Sequence, residues 1–258
     1  MEGYQLFITK VYKKTGIDLS SYKERQMKRR IESLITRNNF PTYDLYYNAI
    51  NQDKKLLDEF INYLTINVSE FYRNPQQWEI LNSEIIPNLL KTRKKLKIWS
   101  SACSTGEECY SLVMALSKFY PLKDIEVLAT DIDEGAITKA QLGVYTPKSV
   151  ENLPNEFIER FFTLQSERFM ISGDIKNRVR FKKLNLIEDA YPSDCDLILC
   201  RNVMIYFTEE TKSKMYQKFH DALGSDGILF VGSTEQIILP HRYNLSPLKT
   251  FFYQKSNR

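Results

Sequence analysis

Histidine is almost missing from this 258-residue chain: only His220 and His241 occur. The four cysteines, Cys103, Cys109, Cys195 and Cys200, form no C-x-x-C pair. These scarcities argue against a zinc site, and no metal is expected. Cys103 and Cys200 lie in or beside strand-like runs, where reduced buried thiols are common. No apolar run approaches the roughly 18 residues that a membrane span requires. The amino terminus, M-E-G-Y, lacks the basic and apolar regions of a secretory leader. A cytoplasmic, reduced protein without membrane insertion is therefore expected. The dinucleotide fingerprint G-x-G-x-x-G is absent, and no glycine at all falls between Gly16 and Gly106. Charge is nearly balanced at a net +4, which permits an acidic partner without demanding nucleic acid.

What is present describes an ordinary globular chain, 43% hydrophobic and 26% charged, long enough for one large domain or a domain with a smaller companion. Residues 1–75 read as helical throughout. Tyr4, Phe7, Ile8 and Val11 carry one amphipathic pattern, stopped near Gly16. Ser20 or Ser21 can cap a second helix running to about Arg37. On its helical wheel Met27, Ile31, Leu34 and Ile35 share one side, while Arg25, Lys28 and Arg29 group opposite. Pro41 and Thr42 open a third helix, and Leu56, Leu57, Phe60, Ile61 and Leu64 mark a fourth. The basic face of the second helix reads either as solvated surface or as a dock for an acidic helical protein. A nucleic-acid patch would want interleaved aromatics, which it lacks.

From Ile98 onward strands and helices alternate, which implies a doubly wound, largely parallel α/β sheet. Strands are expected at residues 98–99, 125–130, 179–184, 196–200, 227–231 and 250–253, with a helix from about 209 to 223. The segment 143–178 interrupts the alternation and reads as a small β excursion. The turn after the first strand, residues 100–106, is built from small side chains that let a ligand approach the backbone. Ser104 with Glu107, and Thr105 with Glu108, each fit the S/T-x-x-E capping box. Two carboxylates at a helix start disfavour a phosphate there. A ligand with positive charge and hydroxyls suits the turn better. Ligands of such sheets bind beyond the carboxyl ends of the strands, where Asp131, Asn185, Arg201 and Asn202 fall. Asp131 is placed to accept hydrogen bonds from a ribose diol; a turn Asp bonded to its own backbone is the alternative, also open for Asp133. Before the sheet, Asn67, Ser69 and Arg73 can converge on a ligand, or belong to a linker whose Ser69 caps a turn.

Four segments together carry a resemblance: 67–73 (NVSEFYR), 98–111 (IWSSACSTGEECYS), 129–133 (ATDID) and 200–207 (CRNVMIYF). They resemble, in order, the motifs of the chemotaxis receptor methyltransferases, the CheR family. The resemblance runs from near residue 20 to the carboxyl terminus. It implies an all-helical N-terminal domain (1–75) that docks the receptor. A class I, Rossmann-like methyltransferase domain (76–258) with a small inserted β-subdomain (about 143–178) would follow. It implies S-adenosylmethionine as cofactor, and transfer of its methyl group to glutamate side chains of methyl-accepting chemotaxis receptors. Carried over by position, Asn67, Ser69, Arg73, Glu107, Asp131, Asn185, Leu186, Arg201 and Asn202 would form the cofactor site. Arg73 would hold the cofactor carboxylate or the substrate glutamate, Tyr206 would help orient the methyl acceptor, and Arg25, Lys28 and Arg29 would dock the acidic receptor helices. Ser69 stands where many relatives have threonine, and Cys109 where they usually have proline. Some relatives grip a peptide at the receptor's tail through the β-subdomain; the short segment 163–175, without a Gly-rich loop, points to a tether-independent member. A class I methyltransferase with another acceptor, or a non-catalytic cofactor sensor, are the rival readings.

Overall fold

The computed structural model describes residues 3–256. Its first layer is helical: α1 (Tyr4–Thr15), α2 (Glu24–Arg37), α3 (Tyr43–Gln52) and α4 (Lys54–Thr65). The periodic apolar residues pack inward as their spacing requires, with Val11, Ile31, Leu34, Tyr46 and Phe60 fully buried in one cluster. Thr42 caps α3 by accepting from the Leu45 N–H at 3.3 Å, and Asp53 caps α4. The start of α2 differs from the sequence expectation. Ser20 and Ser21 lie in a separate 3₁₀ turn capped by Asp18, and Lys23, at the head of α2, offers no side-chain cap. The reason is tertiary. Tyr22 bridges Phe207 in extended conformation, and the Lys23 N–H donates to the Tyr206 carbonyl at 2.9 Å, so the chain cannot coil until Glu24.

Pro75 opens α5 (Pro75–Ile80), which passes through one π turn into α6 (Ile86–Leu90). Then follow β1 (Ile98–Ser100), α7 (Glu107–Leu116), β2 (Val127–Asp131) and α8 (Glu134–Leu142). The interruption contains β3 (Val144–Tyr145), α9 (Asn155–Phe161), β4 (Phe162–Gln165), β5 (Arg168–Ile171) and α10 (Gly173–Lys176). β6 (Val179–Lys183), β7 (Cys195–Cys200), α11 (Glu209–Ala222), β8 (Leu223–Val231), β9 (Leu245–Lys249) and β10 (Phe252–Lys255) complete the chain. The main sheet has the order β6-β2-β1-β7-β8-β10-β9. Its first five strands run parallel, and β10 is antiparallel to both neighbours. The strands β3, β5 and β4 form a separate antiparallel sheet. Central β1 is buried along its whole length, and Trp99 packs against Tyr191 and Phe219 on one side of the sheet. Among the described residues no helix is long and apolar enough to cross a membrane.

The sequence reading placed one strand near 250–253, whereas the structure has a hairpin, β9–β10. β9 escapes pattern reading because four of its five residues are exposed and Pro247 interrupts it, as edge strands allow. The capping boxes are also corrected. α7 is preceded by Gly106 at φ 96°, with no side-chain cap. The left-handed backbone there turns Ser104 and Thr105 away from the helix start. The Thr105 hydroxyl instead donates to Glu107 at 2.6 Å, and the Ser104 N–H donates to Asp131 at 2.8 Å. A Cβ at position 106 would stand 2.9 Å from both the Ala140 Cβ and the Tyr110 ring. Gly106→Ala is thus expected to cost about 2–5 kcal/mol, from left-handed strain plus overpacking, measurable by urea unfolding.

Candidate functional site

A cleft partly open to solvent lies beyond the carboxyl ends of the parallel strands and under the helical layer. Four groups of residues line it: the strap 64–73 between α4 and α5, the small-residue turn after β1, the ends of β2 and β6, and the loop after β7. Asn67, Ser69, Arg73, Asp131, Asn185, Leu186, Arg201, Asn202 and Tyr206 all border this one cleft. Glu107 does not border it; its buried carboxylate bonds to the Thr105 hydroxyl. Arg25 and Arg29 line a separate shallow depression with Lys23, Arg30 and Tyr63. Lys28 is elsewhere, its ammonium over the Tyr4 ring at 5.5 Å.

The strap needs three left-handed residues, Ile66, Tyr72 and Asn74, to turn over the cleft. It is pinned by side chains. The Asn67 amide donates to Asp133 at 2.7 Å, and its carbonyl oxygen accepts from the Ser104 hydroxyl at 3.1 Å. Asp133 also takes the Thr65 hydroxyl at 2.9 Å and caps α8 through the Gly135 and Ala136 N–H groups. The question left open at Asp133 is thereby answered: it is a cap and an anchor. Asp131 is different. It accepts from the Ser104 and Asp133 N–H groups at 2.8 and 3.0 Å, yet it still faces the cleft. Burial, partly opposed by those bonds, pushes its carboxyl up to about 6.

Beneath the cleft sits a charged network that the sequence did not reveal. Glu108 accepts from the Ser100 hydroxyl at 2.8 Å and faces the Arg201 guanidinium at 3.5 Å. The Arg201 side chain is only 2% exposed, so it acts inside the protein although the residue borders the cleft. It donates to the Arg73 carbonyl at 2.7 Å and to the Gln77 side chain at 2.8 Å, and lies over the Phe230 ring at 4.6 Å. Burial raises the Glu108 carboxyl, and Arg201 opposes the shift. Glu235, on the loop after β8, completes the network from the far side. It stands four residues beyond the end of parallel β8, in a segment with no motif of its own. The Arg73 side chain is held by the Val68 carbonyl at 3.2 Å and remains partly open to the cleft. Tyr206 borders the same cleft, next to the Tyr22–Phe207 ring pair at 4.8 Å. Leu186, Leu184 and Ile132 give the cleft an apolar wall.

Residues 67–252 match the family model described as CheR methyltransferase, SAM binding domain, and residues 2–65 match CheR methyltransferase, all-alpha domain. The chain is 41% identical to the chemotaxis protein methyltransferase of Listeria innocua serovar 6a, over 99% of this chain and 98% of that one. It is 32% identical to the chemotaxis protein methyltransferase of Borreliella burgdorferi, over 88% and 85% of the two chains. Chemotaxis protein methyltransferase 2 of Vibrio cholerae serotype O1 is 34% identical, over 88% and 82%. The doubly wound sheet with its SAM-binding domain defines a class I, S-adenosylmethionine-dependent methyltransferase. The chain belongs to the CheR methyltransferase family.

Proposed function

We propose that this enzyme esterifies glutamate side chains of methyl-accepting chemotaxis receptors in the cytoplasm, leaving S-adenosylhomocysteine. The observation that carries this reading is one cleft bordered by Asp131 on the sheet side and by Arg73 and Tyr206 on the strap and loop sides. The donor set suits the cofactor. Asp131 would take the ribose diol, Leu186 and Ile132 would flank the adenine, and Arg73 would hold a carboxylate. With Glu108 offset by Arg201, the Asp131 carboxylate is the charge in the cleft that favours a cation. When bound, S-adenosylmethionine supplies an electrophilic methyl group on a sulfonium. The acceptor needs no general base, because a glutamate with a reference pKa of about 4.3 is already ionised at pH 7. The protein's work is then alignment and exclusion of water. Tyr206 orients the acceptor carboxylate, while Asn67, Ser69, Asn185 and Asn202 close around the cofactor, and Glu107 and Arg201 support that site from behind.

The depression formed by Lys23, Arg25, Arg29 and Arg30 adjoins the cleft through the Lys23–Tyr206 backbone bond, and it suits an acidic receptor helix. Arg30 takes the place there that the sequence reading gave Lys28. The β4–β5 turn is only Ser166 and Glu167, both left-handed, which favours a tether-independent enzyme.

The deciding experiment is transfer of radiolabelled methyl to membranes that hold the host's chemoreceptors. Base-labile label on a receptor-sized band is the expected result; cofactor binding without such label points to another acceptor. Within that assay, Tyr206→Phe is expected to lower kcat about 10–100-fold with S-adenosylmethionine affinity retained. The paired change Arg25→Glu and Arg29→Glu should raise the KM for receptor roughly tenfold and flatten its salt dependence. An unchanged salt dependence would remove the docking role.

A further inference from the structure

We infer that Glu235 is a positioning residue for methyl transfer: its buried carboxylate fixes the loop 202–206 and, through that loop, the Tyr206 hydroxyl at the cleft. Glu235 does not line the cleft. Its effect is exerted on backbone. The loop leaves β7 through Asn202 at φ 60°, and its 3₁₀ turn, Met204–Tyr206, has no side-chain cap of its own. The N–H groups at that turn's start therefore need an acceptor from elsewhere. Glu235 supplies it from another loop. One carboxylate oxygen accepts from the Asn202 N–H at 2.6 Å and the Gly232 N–H at 2.9 Å; the other accepts from the Ile205 N–H at 3.2 Å.

The carboxylate is admitted by a glycine. A Cβ on residue 232 would lie 2.4 Å from the Glu235 carboxylate and 2.9 Å from the Asn202 nitrogen. With Glu235 itself 5% exposed, water is a poor substitute for it. On its other side the loop is held by the helical layer, through the Lys23 N–H on the Tyr206 carbonyl and the Tyr22–Phe207 bridge. Glu235 and the helical layer thus clamp the loop from opposite sides, and Tyr206 projects between them. Glutamine at 235 keeps the volume but turns one acceptor into a donor facing N–H groups. It should therefore free the loop without opening a cavity.

This inference rests on the acceptor-orienting role given above to Tyr206, and its test separates the two. The variants are Glu235→Gln, Tyr206→Phe and their double. Amide hydrogen exchange by mass spectrometry over residues 200–208 reads the loop directly, without turnover. In Glu235→Gln, exchange there is expected to rise about tenfold or more, with β1 and β2 keeping wild-type protection. kcat is expected to fall at least roughly tenfold, and the double variant to be no slower than the slower single variant, because both act on one hydroxyl. Wild-type exchange in the loop of Glu235→Gln overturns the inference, as do losses that multiply in the double variant. If Tyr206→Phe alone keeps wild-type turnover, the role of Tyr206 fails, and with it the catalytic half of the inference; the exchange data still decide whether Glu235 holds the loop. Should Glu235→Gln fold poorly, Gly232→Ala displaces the same carboxylate and should give the same exchange signature.

Discussion

Asp131→Asn is expected to weaken binding of S-adenosylhomocysteine at pH 7.5 by roughly 10–100-fold, the worth of a hydrogen bond to a charged group. It should also erase a pH dependence that the wild type shows. In the free protein, burial raises the Asp131 carboxyl from 3.8 to about 6. The sign for folding follows from that direction. A carboxyl raised in the fold contributes stability that is fully present below pH 3.8 and is lost as pH rises through about 6. Ligand binding runs the other way, because a ribose diol donates and the ionised carboxylate is the better acceptor. Wild-type affinity should therefore fall as pH drops through about 6, while apo stability gains from the same protonation. Calorimetric titration between pH 5 and 8 checks both. Glu107 and Glu108 are also raised, so the isosteric variant is needed to assign the slope. An Asp131→Asn protein that binds as tightly as wild type, or keeps the wild-type slope, would remove Asp131 from the cofactor site.

Asp131, Asn185 and Asn202 were legible as positions bordering the cleft because each follows or ends a parallel strand, and the carboxyl end of such a strand is a fixed place. The strap residues were legible only as a motif, since nothing in the spacing of Asn67, Ser69 and Arg73 states that Ile66, Tyr72 and Asn74 adopt left-handed backbone. Where the sequence misled, a tertiary partner outbid a local rule. The two capping boxes fit the pattern, yet Ser104 spends its N–H on Asp131 and Glu108 turns toward Arg201. Ser20 lost its helix to the Tyr22–Phe207 bridge. Arg201 sits where the strand count puts it, but its guanidinium points into the protein. A strand-end residue can face the ligand or the layer behind it, and the one-dimensional pattern does not distinguish them. Glu235 was missed for a simpler reason: a lone glutamate in the segment S-T-E-Q carries no pattern until the 202–206 loop is seen beside it.

Arg201→Ala is expected to lower stability by about 3–5 kcal/mol, the usual cost of removing one partner of a buried ion pair. The size comes from what the change leaves behind. Glu108, 11% exposed, keeps only the Ser100 hydroxyl, while the Arg73 carbonyl and the Gln77 side chain each lose a donor within 2.8 Å. Without the cation the Glu108 carboxyl rises further, because Arg201 is the main influence opposing its burial. A carboxyl raised in the fold loses its stabilising contribution as pH rises, so the deficit of Arg201→Ala should be larger at pH 8 than at pH 5. Glu108→Gln added to Arg201→Ala removes the stranded charge and should recover about half of the loss at pH 8, leaving as the remainder the unmet Gln77 acceptor and an Arg73 carbonyl held by Trp78 alone. Urea unfolding of the four proteins at both pH values gives the complete cycle. A deficit that ignores pH, or that Glu108→Gln fails to relieve, would show that Arg201 serves chiefly as a hydrogen-bonding brace for the strap. In either case the Arg73 carbonyl loses the shorter of its two anchors, keeping only the Trp78 indole N–H at 3.1 Å, and cofactor binding should weaken even where Arg201→Ala is fully folded. That loss would reach the cleft through the backbone of the very residue whose guanidinium is assigned to a carboxylate there.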